Sequence, residues 1–205
     1  MAQVSGNDLV VKALKDEGVD TVFYLNGGPM TDVASRCIEI GFRSIDVRHE
    51  QAASMAAHAY SRVIGKPGVC FGASGPGTTN LITGVGNAYL DAVPVVTLGG
   101  SSALSQAGMG AFQEMDQLGM FKPISKWAAR VLDARRIPEL INKAFRVATA
   151  GQPGPVYLDL PGDAQPAERR RSTRRSRRAR RSRPARGKRR SRSRRRRADS
   201  GRRRL

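Results

Sequence analysis

The chain has 205 residues, room for one good-sized domain or one domain and an appendage. Its formal charge of +19 is unevenly placed, because residues 1–165 hold 14 basic and 15 acidic side chains whereas residues 166–205 hold 22 and 2. There is no basic-then-apolar leader and no apolar run long enough for a bilayer, and Cys37 and Cys70 form no CxxC. A secreted protein, a membrane span, a disulfide scaffold and a zinc ribbon are therefore not expected, while a reducing cytoplasmic setting without a protein-bound metal is.

Helical and strand patterns alternate along the body. Ser5 or Asn7 can cap a first helix whose apolar side is Leu9, Val10, Ala13 and Leu14, with Gly18 as its stop. Residues 21–25 form a buried strand that ends at Asn26-Gly27-Gly28-Pro29. A helix over 31–40, a strand over 42–47 and an alanine-rich helix over 51–64 follow, the last closed by Gly65. Residues 68–73 are a short strand, Ser74-Gly75-Pro76-Gly77 a turn, and 79–89 one helix. The run 94–99 is apolar and β-branched, as a central parallel strand is. The small polar stretch 101–110 is expected to be a mobile loop. A strand over 123–131, a helix from Asp133 or Pro138 to about 150, and a strand over 155–160 complete the body.

This order predicts an α/β fold, an open and mostly parallel sheet of about six strands with helices on both faces. An α+β arrangement, with two of the short apolar runs outside the sheet, is the alternative. The domain is expected to end near residue 165. Beyond it, residues 166–205 contain 21 Arg, one Lys and no aromatic residue. Such a segment cannot bury enough apolar surface to offset its ordering entropy and is expected to be disordered. Two origins stay open for it. The abrupt change from mixed Lys and Arg to almost pure Arg has the composition of an out-of-frame or misassembled reading of a GC-rich gene. Alternatively, it is a genuine arm that binds nucleic acid or other polyanions through counterion release.

Two phosphate-loop motifs fail. Gly65-Lys66 has Tyr60 where a Walker loop needs glycine and Pro67 where it needs Ser or Thr. Gly75-Pro76-Gly77 has Asn80 in place of the third dinucleotide-site glycine. Glu50 is the carboxylate of interest, just past a strand and directly before a helix, where an open parallel sheet places its ligand crevice. The plainer account is that a helix dipole favours an acid in the first turn, by about 0.3–1 kcal/mol. His58, on a helix crowded with alanines, is expected to pack rather than to react.

The segments Arg48-His49-Glu50-Gln51-Ala52-Ala53, Ser74-Gly75-Pro76-Gly77-Thr78-Thr79-Asn80, Ala111-Phe112-Gln113-Glu114 and Gly154-Pro155-Val156-Tyr157-Leu158-Asp159-Leu160-Pro161 together resemble one family. It is the N-terminal, pyrimidine-binding domain of thiamine-diphosphate-dependent enzymes, in the acetolactate-synthase-like subgroup that includes 2-hydroxyacyl-CoA lyases, oxalyl-CoA decarboxylases and benzaldehyde lyases. The resemblance runs over residues 5–163. It implies that Glu50 hydrogen-bonds a pyrimidine ring nitrogen of thiamine diphosphate, favouring the imino tautomer that removes the thiazolium C2 proton. It implies cofactor contacts at Asn26, Gly27, Gly28, Pro76, Gly77 and Asn80, and a substrate pocket near Phe112 and Gln113. Leu25-Asn26 stands where synthases carry Tyr-Pro, so the resemblance does not name the substrate.

In this family the Mg2+ and diphosphate ligands lie on a C-terminal domain with a Gly-Asp-Gly motif, which does not occur in this sequence. The resemblance therefore implies an incomplete enzyme, inactive alone, that pairs as a homodimer or with a complementary domain. Deleting residues 166–205 is expected to leave the urea midpoint of the body unchanged. It should also abolish salt-sensitive binding to RNA, measured by filter retention between low and high salt.

Overall fold

A computed structural model describes residues 5–164; the expectations for the basic tail lie outside the described residues. Six strands form one parallel sheet in the order β2-β1-β3-β4-β6-β5. They are β1 (Thr21–Tyr24), β2 (Arg43–Asp46), β3 (Gly68–Gly72), β4 (Val95–Ser101), β5 (Trp127–Arg130) and β6 (Val156–Pro161). The helices are α1 (Gly6–Asp16), α2 (Thr31–Glu39), α3 (Glu50–Ile64), α4 (Pro76–Thr79), α5 (Ile82–Leu90), α6 (Gln117–Phe121) and α7 (Ile137–Thr149). The expected α/β architecture is thus present, and all six runs assigned as strands lie in the sheet.

Side-chain alternation along each strand divides the core in two. Val22, Tyr24, Val69, Phe71, Val96, Leu98, Leu158 and Leu160 face a layer that includes Val10, Leu14, Ile137 and Ile141 of α1 and α7. Phe23, Cys70, Val95 and Tyr157 face the opposite layer, with Ala53 and Ala57 of α3, Val85 of α5 and Phe121 of α6. Each layer has one stacked aromatic pair, Tyr24 on Phe71 with centroids 4.6 Å apart and Phe121 on Tyr157 at 4.0 Å.

Local chemistry fixes the element ends. Ser5 caps α1 in a reciprocal box with Asp8, and Gly65 closes α3 in the left-handed conformation at φ 69°. The 79–89 helix expected from sequence is instead two helices, α4 and α5, separated at Asn80 and Leu81. The Leu81 amide donates to Thr78 rather than to Gly77, a tighter turn that buries Leu81 completely and leaves Asn80 at its edge. Nor is 101–110 a plain loop. It contains a short 3-10 turn at Leu104–Gln106, whose first amides donate to the Asp163 carboxylate at 2.7 and 2.9 Å.

Close approaches at glycine bring α3 onto the sheet and α5 onto α3. A Cβ at Gly68 of β3 would lie 2.1 Å from the Ala57 carbonyl oxygen of α3, and one at Gly84 of α5 would lie 2.2 Å from Ser54 Oγ. The alanines of α3 therefore serve two surfaces: Ala53 and Ala57 meet the sheet, while Ala52 and Ala59 are exposed. Gly86, two residues along α5, faces open space. These two glycines should respond oppositely in urea titrations. Gly84→Ala is expected to lose about 1–3 kcal/mol by overpacking, and Gly86→Ala to gain up to about 1 kcal/mol of helix propensity.

Candidate functional site

The chain leaves β1 for β2 on one side, then crosses to β3 on the other side of β1. The connections after β1 and β3 therefore run in opposite directions, which opens a crevice at the carboxyl ends of these strands. Its walls nearly touch at the base, where a Cβ at Gly27 would be 3.2 Å from the Ala73 Cβ.

Glu50 enters this region as the first residue of α3. His49 has extended backbone and its Nδ1 accepts the Gln51 amide at 3.2 Å, so the helix starts at Glu50 itself. The side chain turns inward, and the residue is only 6% exposed. Asn80 Nδ2 donates to Glu50 Oε2 at 2.9 Å. The other oxygen, Oε1, accepts no hydrogen bond among the described residues and faces Gly77, where a Cβ would stand 3.0 Å away. Glu50, Gly77 and Asn80 thus form one cluster, and the carbonyl of Pro76, at the start of α4, accepts the Asn80 backbone amide at 3.0 Å.

A second group gathers where the 73–74 stretch meets the 27–28 and 112–113 segments. Gly27, Gly28, Ala73, Ser74, Phe112 and Gln113 are among the residues lining a cavity of about 410 Å³. Ser74 Oγ donates to Gln113 Oε1 at 2.8 Å. Gln113 holds φ at 58°, and its carbonyl oxygen would stand 2.5 Å from a Cβ at Gly75, which itself has φ 56°. No other residue type fits position 75 without strain. Phe112 is 84% exposed at the cavity rim. Asn26 does not line the cavity; its amide donates to Asp46 Oδ1 at 3.3 Å, tying β1's exit to β2's.

Beneath both groups is a buried polar network that the sequence did not single out. Asp159 of β6 is fully buried and accepts from Ser101 Oγ, Gln117 Nε2 and Tyr157 Oη, and it pairs with the Arg130 guanidinium. Gln117 is 1% exposed and accepts the Gly75 amide at 2.8 Å. Burial and the adjacent Asp159 carboxylate push the Tyr157 phenol well above its ordinary value. A signal for part of this was available. An aspartate in the apolar run Val156–Leu160, with an arginine opposite it in register, marks a buried charge that needs a partner. Nothing in the sequence marks Gln117. Nearby, Glu114 accepts the amides of Gly108, Gly110 and Ala111, and those bonds hold its carboxyl below the usual range. His58, as expected, packs: it is buried, with Asn87 Nδ2 3.2 Å from its Nδ1.

Residues 4–120 match the family described as thiamine pyrophosphate enzyme, N-terminal TPP binding domain. The chain belongs to that family. It is 43% identical over 165 residues to a probable acetolactate synthase large subunit of Methanocaldococcus jannaschii, covering 80% of this chain and 28% of the relative. It is 44% identical over 164 residues to the acetolactate synthase large subunit of Haemophilus influenzae, covering 80% and 29%. The isozyme 2 large subunit of Escherichia coli is 43% identical over 162 residues, covering 79% and 30%. The chain thus spans less than a third of the length of these relatives.

The residues present suit the pyrimidine end of thiamine diphosphate. A sheltered carboxylate has one oxygen held and the other without a partner among the described residues, beside glycine backbone that presents no side chain to it. For the cation and diphosphate, no group of three or more His, Cys, Asp or Glu side chains converges among the described residues. No helix among them is long and apolar enough to cross a membrane.

In this TPP-binding domain the Asn80–Glu50 bond can be tested by stability alone. Asn80→Ala is expected to cost about 1.5–3 kcal/mol in urea at neutral pH, the range for a bond to a charged group. Asn80→Asp would set two carboxylates together, which raises the pKa of one of them. Its deficit should be full at neutral pH and shrink as acid protonates the pair, the reverse of an ordinary paired carboxylate. A deficit that does not change with pH would place the two side chains apart.

Proposed function

We propose that this domain supplies the pyrimidine-side half of a thiamine-diphosphate site in a synthase or lyase that joins or cleaves 2-keto acids or 2-hydroxyacyl-CoA thioesters. The observation that carries the reading is Glu50: a carboxylate at the sheet's crevice, with Oε2 fixed by Asn80 and Oε1 open beside Gly77. When bound, thiamine diphosphate supplies the carbanion-stabilising chemistry that such reactions need. The protein's part is position and proton control. Glu50 Oε1 would meet a pyrimidine ring nitrogen and share its proton, while Asn80 keeps the carboxylate from rotating away. Gly27, Gly28, Pro76 and Gly77 give the ring close access to backbone, and burial excludes water that would compete for the carboxylate.

Phe112 and Gln113 stand at the mouth of the adjoining cavity and are the residues we assign to substrate. The acetolactate synthase relatives favour a 2-keto acid there. The Mg2+ and diphosphate ligands are assigned to further domains of the kind that make up the rest of those relatives' length. Turnover is therefore assigned to the assembled enzyme and not to these 205 residues alone.

The test pairs this chain with the remaining domains of the Methanocaldococcus relative, by co-expression or fusion, and assays pyruvate condensation with thiamine diphosphate and Mg2+. Activity should appear only in the combination. Glu50→Gln should then lower turnover by roughly 10²–10⁴, because it keeps the side chain's shape and removes its proton exchange. An unchanged rate in that variant would remove Glu50 from the chemistry. Robust turnover by the chain alone would overturn the assignment of the diphosphate end elsewhere.

A further inference from the structure

We infer that Gln117 is the positioning residue that sets the 75–77 turn against Glu50, an inference that rests on the pyrimidine-side reading of that carboxylate. Gln117 lies on α6, far in sequence from either partner, and its side chain is buried to 1% exposure. Its amide is fully committed. Oε1 accepts the Gly75 N–H at 2.8 Å, while Nε2 lies 2.8 Å from the Gly100 carbonyl, 3.0 Å from Tyr157 Oη and 2.6 Å from Asp159 Oδ1. The chemistry of the partners forces this orientation. Only an oxygen can face the peptide N–H, and only the NH2 can face a carbonyl and a carboxylate.

The turn needs such an anchor because its tolerance is small. Gly77 lies so close to Glu50 that a Cβ would already sit 3.0 Å from Oε1, and Gly72 is packed against the Gly77 carbonyl from below. A shift of a few tenths of an ångström at Gly75 would move Gly77 and change what Oε1 faces. The other ties to the turn come from Gln113 and Thr78, which belong to surface connections or to the turn itself. Thr78 Oγ1 also reaches Gly100 of β4, at 3.3 Å, but Gln117 ties the turn both to Gly100 and, through Tyr157 and Asp159, to β6. Asp159 is in turn held by Arg130 on the outermost strand, β5. The position of the turn is thereby referred to the far half of the sheet.

The experiment follows amide exchange by NMR on the 205-residue chain, without cofactor. It therefore reports on Gln117 whether or not the thiamine reading stands. Gln117→Met keeps the volume and removes both ends of the amide. Ile141→Val, in the opposite core layer, serves as a control of general destabilisation. In Gln117→Met, Gly75 and Gly77 should exchange about tenfold faster than the change at β4 amides accounts for. The Glu50 side-chain carboxyl resonance should also move at fixed neutral pH. In Ile141→Val, the turn and β4 should move in step and the Glu50 carboxyl resonance should stay in place.

Gln117→Glu supplies a rescue. The new carboxyl would be buried facing Asp159 and Tyr157 of β6, with Arg130 of β5 beyond them and Glu114 and Asp116 on its own connection. At neutral pH the like charges should loosen the turn. As pH falls the added carboxyl protonates, its O–H donates to Asp159, its carbonyl oxygen accepts the Gly75 N–H, and protection at Gly75 returns. Turn amides that track β4 in Gln117→Met, or no recovery of Gly75 in acid for Gln117→Glu, would overturn the assignment.

Discussion

The arrangement at the crevice depends on backbone meeting backbone across the layers. At Gly68 against Ala57, Gly72 against Gly77 and Gly84 against Ser54, a methyl group would fall inside van der Waals contact. These contacts hold α3 flat on β3, hold α5 against α3, and press the 75–77 turn down onto the end of the sheet. Glu50 begins α3 and Asn80 precedes α5, so their bond is a by-product of how closely the two helices are drawn together. Larger residues at Gly68, Gly72 or Gly84 would spread the layers and separate the carboxylate from its donor, although none of these three glycines has Glu50 among the atoms a Cβ would meet.

The second support is electrostatic. Asp159 carries a charge where solvent does not reach, and it persists because Arg130, Gln117, Ser101 and Tyr157 satisfy its lone pairs. Such a network is costly when broken, because each remaining member is left desolvated without a partner. Placing it directly under the crevice turns that cost into rigidity at the site. The cavity beside Gln113 and the cluster around Glu50 then meet at the 73–77 turn, whose Ala73 and Ser74 line the one and whose Gly77 faces the other.

Much of the fold was legible because α/β order writes itself in periodicity. The strands at 68–73 and 94–99 are continuous apolar runs, the helix ends carry Gly18, Gly41 and Gly65, and five of the six strand runs fell where expected within a residue or two. The run expected over 123–131 is shorter, Trp127–Arg130, because Lys122–Ile124 forms a 3-10 turn. The break between α4 and α5 was not legible, since Thr78–Leu81 contains no Gly or Pro, and its Thr and Asn are only mildly unfavourable in a helix. The tight turn there comes from packing Leu81 into the core. Nor was α6, five residues long and without a clear apolar stripe. Glu50 could be found from its place after a strand, and Asn80 and Gly77 only through resemblance to a family. Gln117 could be found by neither route, because a buried glutamine reads in sequence like any exposed one. What distinguishes it is a set of partners drawn from two strands and a turn.

The sheet's two outermost strands, β2 and β5, are four residues each. Both end in a charged residue, Asp46 and Arg130, and β2 also begins with one, Arg43. Short charged borders of this kind offer a poor template for another chain's backbone. The same borders that keep the isolated domain from polymerising edge to edge also leave its helices and crevice loops as the surfaces through which further domains can be added. A protein assembled around this unit would grow outward from its faces and its carboxyl end, while the six-stranded count stayed fixed.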